Sequence, residues 1–402
     1  MNIIEVKDKR TKRQFLELPK HLYNGDSNWT CLLDAEIEGI FNPKHNTLFH
    51  GGDACRWILT DQNGSNIGRI AAFYNLAKAN HTSNEQPTGG IGFFECINNQ
   101  EAANRLFNVA KAWLVSKGME AMDGPINFGE NYVHWGLLVE GFMHQGYGMP
   151  YNFPYYKSLF ENYGFQTYFE QYSYHVDLTK PFPAKQESFA RFVMRKPNYR
   201  WEHFQMKHHQ KYIQDLVDIF NTVWSDFHED YTPITYHEFE SVFLDAKMLI
   251  NEELIVFAYD GDRPIGMIIC FPDFNQVFKK LKNGRLNLLN KIKLLYYRKR
   301  SVTRARQLAS GVIPEYQKAG IIGPLFLKMI DACRKQGYTE LETSWVGDYN
   351  DTVNKMYELM DNASKTKTHI TYRFLFDRNK PFKRFMNESS KKVRQQEIKT
   401  KD

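Results

Sequence analysis

The sequence has no apolar run of the ~18 residues that a membrane-spanning helix requires. Its five cysteines are scattered and odd in number, and no two stand at metal-ligand spacing. We therefore expect buried, reduced thiols and no bound metal. The polar start, Met-Asn-Ile-Ile-Glu-Val-Lys, lacks the apolar core of a signal peptide, so we expect a cytoplasmic protein.

Acidic residues are absent between Phe274 and Pro314, where eleven Lys and Arg residues lie. The net charge of +6 is smaller than this local excess, so the basicity belongs to this segment. Within 277–300, apolar residues recur at helical spacing between the cations, and Asn283-Gly284 divides the pattern into two helices. Three interpretations stay open: a surface for anionic lipid, a wall around an anionic ligand, or a helix packed on its own domain. No nucleic-acid motif accompanies the run, so we expect no nucleic-acid partner.

Two parts of the chain share one order of predicted elements: strand, helices, β-hairpin, strand, helix, strand, helix, strand. Their hairpins match at Ile67-Gly-Arg-Ile and Ile265-Gly-Met-Ile. A chain of 402 residues is long for one core, and the repetition predicts an internal duplication. The predicted organisation is a first domain at 1–180, a proline-containing linker at 181–198, a second domain at 199–380 and a basic polar tail at 381–402.

The stretch from Leu308 to Leu325 predicts an anion site. An apolar strand stops at Pro314, which has no backbone donor for a sheet ladder. A loop with Gln317 and Gly320 follows, and then a helix begins. The first amides of a helix have no intrahelical partner, and the helix dipole adds to their attraction for anions. We therefore expect this loop to hold a pyrophosphate.

The same loop resembles the acyl-CoA-binding motif of the GNAT acyltransferase superfamily, Val-x-Pro-x-aromatic-Gln/Arg-x-x-Gly-x-Gly/Ala, in the run Val312-Ile-Pro-Glu-Tyr-Gln-Lys-Ala-Gly-Ile. The spacing from Asn350 to Tyr357 resembles the superfamily's second signature, and 159–165 resembles the ending that usually follows that Tyr. The resemblance implies an α/β (α+β) fold with two tandem GNAT-like acyl-CoA N-acyltransferase domains. Each domain would be a mixed, mostly antiparallel, twisted sheet flanked by helices.

The sequence departs from the motif in two places. The position that is normally Gly or Ala is Ile322, with Gly323 one step later, and a branched side chain there would crowd a pyrophosphate unless the loop uses Gly323 instead. The equivalent place in the first half begins at Cys96, lacks glycine and carries Glu101. We therefore expect only the second domain to bind CoA in the usual way, with the first domain as a degenerate partner that shapes the acceptor side.

The resemblance also implies roles for individual residues, with acetyl-CoA or a longer acyl-CoA as the donor and no metal. The implied contacts to pantetheine come from Gly311, Val312, Ile313 and Asn350. The implied contacts to the pyrophosphate come from Gln317, Lys318, Ala319, Gly320, Ile321, Ile322 and Gly323. Tyr357 would protonate the leaving thiolate, and the Val312 N–H would steady the thioester oxygen as it gains charge.

The general base stays open. Glu342, on the strand after the motif, is the first candidate, and His228 and Glu229 are the others. A solvated strand carboxylate is the alternative interpretation of Glu342. A core aromatic on an apolar helix face is the alternative for Tyr357.

Residues 124–175 are dense in Tyr, Phe and Gly, which is typical of a large, partly apolar acceptor pocket or of a packed domain interface. The tandem layout and the region 124–142 are similar to a bacterial group that includes ceramide synthases. This similarity favours an acyl-CoA-dependent N-acyltransferase with an amine acceptor, a sphingoid-type lipid amine being one candidate. It also favours peripheral contact with the inner membrane face through 277–300. A non-catalytic acyl-CoA-binding scaffold and an aminoacyl or peptidyl transferase on the same fold stay open.

Overall fold

Strands and helices alternate along both halves of the chain in a computed structural model. The structure describes residues 1–80, 84–129, 133–225, 233–247, 250–281, 284–297 and 300–385. The first half contains β1 (Asn2–Glu5), α1 (Lys9–Leu22), α2 (Asp34–Ile40), β2 (Gly52–Thr60), β3 (Asn66–Asn75), α3 (Leu76–Ala79), β4 (Thr88–Cys96), α4 (Gln100–Ser116), β5 (Ala121–Gly124), β6 (Leu137–Glu140), α5 (Tyr156–Tyr163) and β7 (Gln166–Asp177).

The second half follows the same order with additional helices. It contains α6 (Ala184–Met194), β8 (Tyr199–His203), α7 (His209–Ser225), α8 (Tyr236–Ala246), β9 (Ile255–Asp260), β10 (Arg263–Pro272), α9 (Asn275–Phe278), α10 (Leu288–Tyr297), β11 (Arg304–Val312), α11 (Ile322–Lys335), β12 (Glu340–Glu342), β13 (Val346–Gly347), α12 (Asp351–Glu358) and β14 (Ala363–Leu375).

Strand register confirms the predicted duplication. Gly68 of β3 pairs with Cys96 at the end of β4, and Gly266 of β10 pairs with Val312 at the end of β11. The next backbone bond is also the same in both hairpins, since the residue after each strand end donates to the isoleucine before the glycine. Cys96 and Val312 therefore occupy equivalent positions, and each half can be used to interpret the other.

The described strands form one sheet in which the two halves exchange their last strands. The order is β1-β2-β3-β4-β5-β14-β7-β12-β11-β10-β9-β8, so β14 pairs with β5 of the first half and β7 pairs with β12 of the second half. β7 and β14 also pair with each other along most of their length. Because each half completes the sheet of the other, both contribute side chains to the middle of the molecule.

The segment 181–198, which we predicted as a linker, contains helix α6. Its Ala190 and Val193 are buried in the hydrophobic core of the second half. The helix starts directly after Pro183, which is its N-cap residue. The segment therefore packs on the second half, and α6 lies against the N-terminus of α11.

Two large hydrophobic clusters lie against the sheet, one in each half. The cluster of the second half is built largely by α11, an amphipathic helix that buries Leu325, Met329 and Cys333 at helical spacing. Helix α10 differs, because its Leu288 and Ile292 remain 76% and 57% exposed. The predicted break before α10 is confirmed at Gly284, whose φ of +63° lies in the left-handed region that favours glycine.

Candidate functional site

A gap opens between β11 and β12 in the second half. The two strands pair in parallel only from Arg304 with Glu340 to Arg306 with Glu342. Beyond that point β13 pairs with β7 instead, so the chain after Glu342 leaves β11. The Arg306 guanidinium spans the base of the gap and donates to the carbonyls of Gln307 and Thr343, one on each side.

The backbone of Val312 faces this gap. The Ile313 N–H donates to the Ile265 carbonyl at 3.0 Å, on the side of β10. Alternate residues of an antiparallel strand direct their amides to the same neighbour, so the Val312 N–H points the other way, into the gap. The Val312 carbonyl accepts a bond from Gln317 Nε2 at 3.4 Å. Of the predicted run Gly311 to Ile313, Val312 is thus the residue whose amide is directed at a ligand in the gap.

The predicted phosphate loop is an open turn before α11. Pro314–Ala319 form a short 3-10 helix, and Gly320 follows in the left-handed region with φ +78°. Gln317 and Lys318 are exposed. The N-cap residue of α11, Ile321, supplies no side-chain hydrogen bond, so the amides of the first turn are not capped by a side chain. Backbone donors at an uncapped helix N-terminus form an anion site.

Helix α6 forms one wall of this loop. A Cβ on Gly320 would lie 2.7 Å from the Phe189 ring, and a Cβ on Gly323 would lie 3.6 Å from Ala190 Cβ. The Ile322 side chain packs partly against the second-half core. Part of the Ile322 side chain is thus directed to the core, while Gly323 faces α6. The crowding of a pyrophosphate by Ile322 stays a prediction.

Tyr357 lies at the base of the gap. Its hydroxyl donates to Gln307 Oε1 at 3.3 Å and also bonds the Thr343 side chain. Its ring stacks on Tyr174 of β7, with centroids 4.5 Å apart. Burial raises the pKa of Tyr357, so the hydroxyl keeps its proton at neutral pH. The Gln307 amide in turn donates to Ser310 Oγ at 3.0 Å, which links Tyr357 to the gap-facing edge of β11.

Glu342 lies in a buried charge cluster rather than on a solvated strand. Its carboxylate accepts from Lys367 Nζ at 2.7 Å and lies 3.5 Å from Arg304, which also pairs with Asp273 at 2.7 Å. Both Glu342 and Lys367 are nearly inaccessible to solvent. Since both carboxylate oxygens face cations, the geometry favours a charge-balancing role for Glu342 over the predicted role as a base. With Arg306, the cluster has three cations against two carboxylates.

The remaining predicted residues have simpler positions. Asn350 is the N-cap of α12, and its side chain accepts from the Val353 N–H at 3.3 Å. His228 and Glu229 lie outside the described residues. Sequence reasoning missed Gln307 and Ser310, whose positions five and two residues before Val312 carry no motif signal. It also missed Arg306, which the acid-free run included only as one of eleven cations.

The equivalent place in the first half is closed. The Cys96 N–H, which corresponds to that of Val312, donates to the Tyr156 hydroxyl at 2.9 Å. The Ile126 N–H donates to the Ile91 carbonyl at 2.8 Å, so backbone bonding continues where the second half has its gap. Helix α4 begins four residues after Cys96, and Asn99 caps it by accepting from the Ala102 N–H. The first half therefore offers neither an open gap nor an uncapped loop.

The aromatic region of the first half covers the sheet face opposite Tyr357. Trp135 is fully buried and its ring lies 4.6 Å from that of His369 on β14. The Tyr147 carbonyl accepts from Arg306 Nε at 3.2 Å. The region is thus a packed interface between the halves that also reaches the base of the gap. Tyr132, predicted with this region, lies outside the described residues.

The described residues contain neither a metal-binding cluster nor a membrane-spanning helix. No cluster of three or more His, Cys, Asp or Glu side chains that could hold a metal ion occurs among them. Among the described helices, none combines the length and hydropathy of a membrane-spanning segment.

The second half is similar to a known family. Residues 214–361 match the model of the Acetyltransferase (GNAT) family. The chain is 28% identical to Protein YghO of Escherichia coli (strain K12) over 362 residues. The aligned region covers 87% of this chain and 90% of that protein. The chain is also 27% identical over 386 residues to a protein of Caulobacter vibrioides (strain NA1000 / CB15N) named bacterial ceramide synthase. That alignment covers 92% of this chain and 97% of the relative.

A solved structure shares the whole architecture. A tandem GNAT protein from the clavulanic acid biosynthesis pathway, solved without acetyl-CoA, superposes with a TM-score of 0.54. The match covers 95% of this chain and 99% of that chain, at 10% identity. At this identity the likeness concerns the fold alone.

Proposed function

Since this chain carries a GNAT-family domain on a tandem GNAT fold, we propose that it transfers an acyl group from acyl-CoA to an amine. The observation that carries the proposal is the coincidence, in the second half, of an open gap, an uncapped phosphate loop and a protonated tyrosine at the base of the gap. Each feature serves a different part of the donor. At the equivalent place in the described part of the first half, the Tyr156 hydroxyl accepts from the Cys96 N–H and Asn99 caps α4.

In this proposal the amides of Gln317 to Gly323 hold the pyrophosphate at the N-terminus of α11. The pantetheine arm adds beside β11, where the Val312 backbone faces the gap, and it contacts Asn350. The Val312 N–H points where the thioester oxygen gains negative charge. The excess positive charge of the cluster around Arg306 supports the same charge from below the gap.

The chemical step needs one proton donor and one acceptor. The amine nitrogen attacks the thioester carbon, the new C–N bond forms, and the C–S bond breaks. Tyr357 gives its proton to the departing sulfur, and the proton that the amine loses restores the phenol. The protons and bonds of this reaction are accounted for without a role for Glu342.

The identity of the acceptor is a finer proposal. The relative named bacterial ceramide synthase covers nearly the whole chain, which supports a long-chain amine of the sphingoid type as the acceptor. The buried aromatic region between the halves supports an apolar acceptor as well.

We also propose that α10 brings the protein to an anionic membrane surface at the inner membrane face. Leu288, Leu289 and Ile292 are exposed on a helix that also carries Lys291 and Lys293. Exposed leucines beside cations, in a segment without acidic residues, match the interface of an anionic bilayer. The other face of α10 packs on the protein through Leu294 and buried Asn290, so the exposed leucines lie on its outer face.

Calorimetry with acetyl-CoA, palmitoyl-CoA and free CoA, followed by thiol release across a panel of amines, tests the function. We expect binding of all three and thiol release with long-chain amines. Binding without thiol release from any amine would favour the scaffold alternative. No binding of any donor would overturn the proposed function.

A further inference from the structure

Four buried side chains at the junction of the halves have polar atoms without a hydrogen-bond partner. They are Trp135 Nε1, Gln171 Nε2, Ser173 Oγ and His369 Nδ1. Each side chain is at most 1% exposed. Buried polar atoms are normally satisfied, so four orphans in one region require an explanation.

The four side chains lie together on one sheet face. Gln171 of β7 pairs in register with His369 of β14, and Ser173 lies two residues further along β7, which is the same face. The Trp135 ring packs on the His369 ring. A Cβ on the neighbouring Gly136 would lie 2.5 Å from Gln171 Oε1 and 2.9 Å from His369 Cβ. The four side chains are thus neighbours, and Gly136 packs against two of them.

The partnered atoms of the same side chains fix what the orphans can do. His369 Nε2 donates to the Pro150 carbonyl at 3.2 Å, which leaves Nδ1 as an acceptor. Gln171 Oε1 accepts from Thr371 Oγ1 at 3.0 Å, which leaves the amide nitrogen as a donor. The Trp135 indole is a donor, and the Ser173 hydroxyl can do both. The group therefore offers two donors, one acceptor and one hydroxyl.

This group lies beside the donor gap. β7 is the immediate neighbour of β12 and β13, whose chain borders the gap. Ser173 stands opposite Lys367, which pairs with Glu342 of β12. A polar track therefore runs along the sheet face from the orphaned atoms to the base of the gap.

We propose that Trp135, Gln171, Ser173 and His369 form a buried subsite for the polar head of the acyl acceptor. This inference rests on the proposed function. His369 Nδ1 accepts a hydrogen bond from the amine, while Trp135 and Gln171 donate to oxygens next to it. The subsite therefore selects an amine with neighbouring hydroxyl groups over a simple alkylamine. Entry of this ligand requires movement of the glycine-containing segment that covers the subsite.

The test measures amine binding by calorimetry on the full chain, with and without free CoA. The probes are sphinganine and an alkylamine of the same chain length. We expect wild-type protein to prefer sphinganine, and Trp135→Phe and Ser173→Ala each to weaken sphinganine binding about fivefold, as expected for one lost hydrogen bond. Alkylamine binding and CoA binding should not change. Because Ser173→Ala removes only an orphaned atom, its melting temperature should stay equal or rise. Trp135→Phe also removes buried ring atoms, so its melting temperature should fall.

Two substitutions of His369 provide a matched pair. Gln at this position keeps the reach to the Pro150 carbonyl and removes the Nδ1 acceptor. Asn keeps an acceptor near Nδ1 and removes the bond to Pro150. We expect His369→Gln to weaken binding of both amines and His369→Asn to retain most of it.

The outcomes separate this proposal from the proposed function. CoA binding with no preference for sphinganine, or with a preference that Trp135→Phe and Ser173→Ala leave intact, overturns the subsite alone. Sphinganine binding that depends on these residues, without CoA binding, supports the subsite and overturns the proposed function.

Discussion

The two halves of this protein share one fold, and one of them has been closed. At the strand end of the first half, the Tyr156 hydroxyl accepts a hydrogen bond from the Cys96 N–H, whereas the equivalent Val312 N–H faces an open gap. At the helix that follows, Asn99 caps α4, whereas Ile321 leaves α11 uncapped. In the proposed function, an acyl-CoA site needs backbone donors without a protein partner, and a few side chains of the first half are enough to bond those donors.

A third difference lies on the helix before each last strand. In the first half Phe160 packs on Tyr372 of the exchanged strand β14, and in the second half Tyr357 packs on Tyr174 of the exchanged strand β7. The Phe160 and Tyr357 rings have matching positions, but of these two only Tyr357 carries a hydroxyl. The closed half therefore has a new role, since it supplies Tyr174 and the orphaned polar group to the open half.

We expect the largest effect on turnover when Tyr357 is replaced by phenylalanine, the residue type that the first half has at the matching position, Phe160. Tyr357→Phe should lower turnover about 100-fold or more, the usual contribution of a general acid. Binding of palmitoyl-CoA should be retained, because the ring contacts are kept. Steady-state thiol release and calorimetry measure the two quantities. An unchanged turnover number would remove Tyr357 from the mechanism.

A tyrosine-to-phenylalanine change at the closed strand end of the first half should lower stability instead of turnover. Tyr156→Phe removes the acceptor of the Cys96 N–H and a 2.8 Å bond to buried Glu95. We expect a loss of about 2 kcal/mol in the free energy of unfolding, measured by urea titration. Turnover of the folded variant should equal that of the wild type. A turnover loss as large as that of Tyr357→Phe would mean that the first half also takes part in chemistry.

A smaller effect is expected at the helix N-terminus. Gly323 is the second residue of α11, and Glu101 is the second residue of α4. Gly323→Glu should weaken CoA binding about tenfold, or ~1.4 kcal/mol. The added carboxylate at the N-terminus of α11 would compete with the pyrophosphate for the helix amides and repel it. The fold should tolerate the change, since the nearest contact of an added Cβ is an ordinary 3.6 Å. Glu101→Gly is the control and should leave CoA binding unchanged.

The smallest expected effect concerns the basic segment, which the first half lacks. Leu288→Ser combined with Ile292→Ser should reduce flotation with anionic vesicles about fivefold, because apolar area is lost from the interface. Val115→Ser is the matched control, because Val115 is 51% exposed on α4. Equal retention of wild-type protein by anionic and neutral vesicles would contradict the membrane proposal.

Much of the fold could be predicted from the sequence because the duplicated hairpins and the loop around Gly320 are local signals. The exchange of β7 and β14 could not, because it depends on register between strands about 200 residues apart, as in the bond from Thr371 to Gln171. The same exchange explains why the buried ion pair of Glu342 could not be predicted, because its partner Lys367 lies on the exchanged strand. The linker prediction gave too much weight to the prolines and too little to the helical spacing of Ala190 and Val193.

The central claim is that the chain has one donor site and that this site lies in the second half. Calorimetric titration of the wild type and of Gly323→Glu with palmitoyl-CoA tests it most directly. We predict one CoA per chain for the wild type and a uniform loss of affinity in the variant. Two sites per chain, or a site whose affinity is unaffected by Gly323→Glu, would contradict the claim.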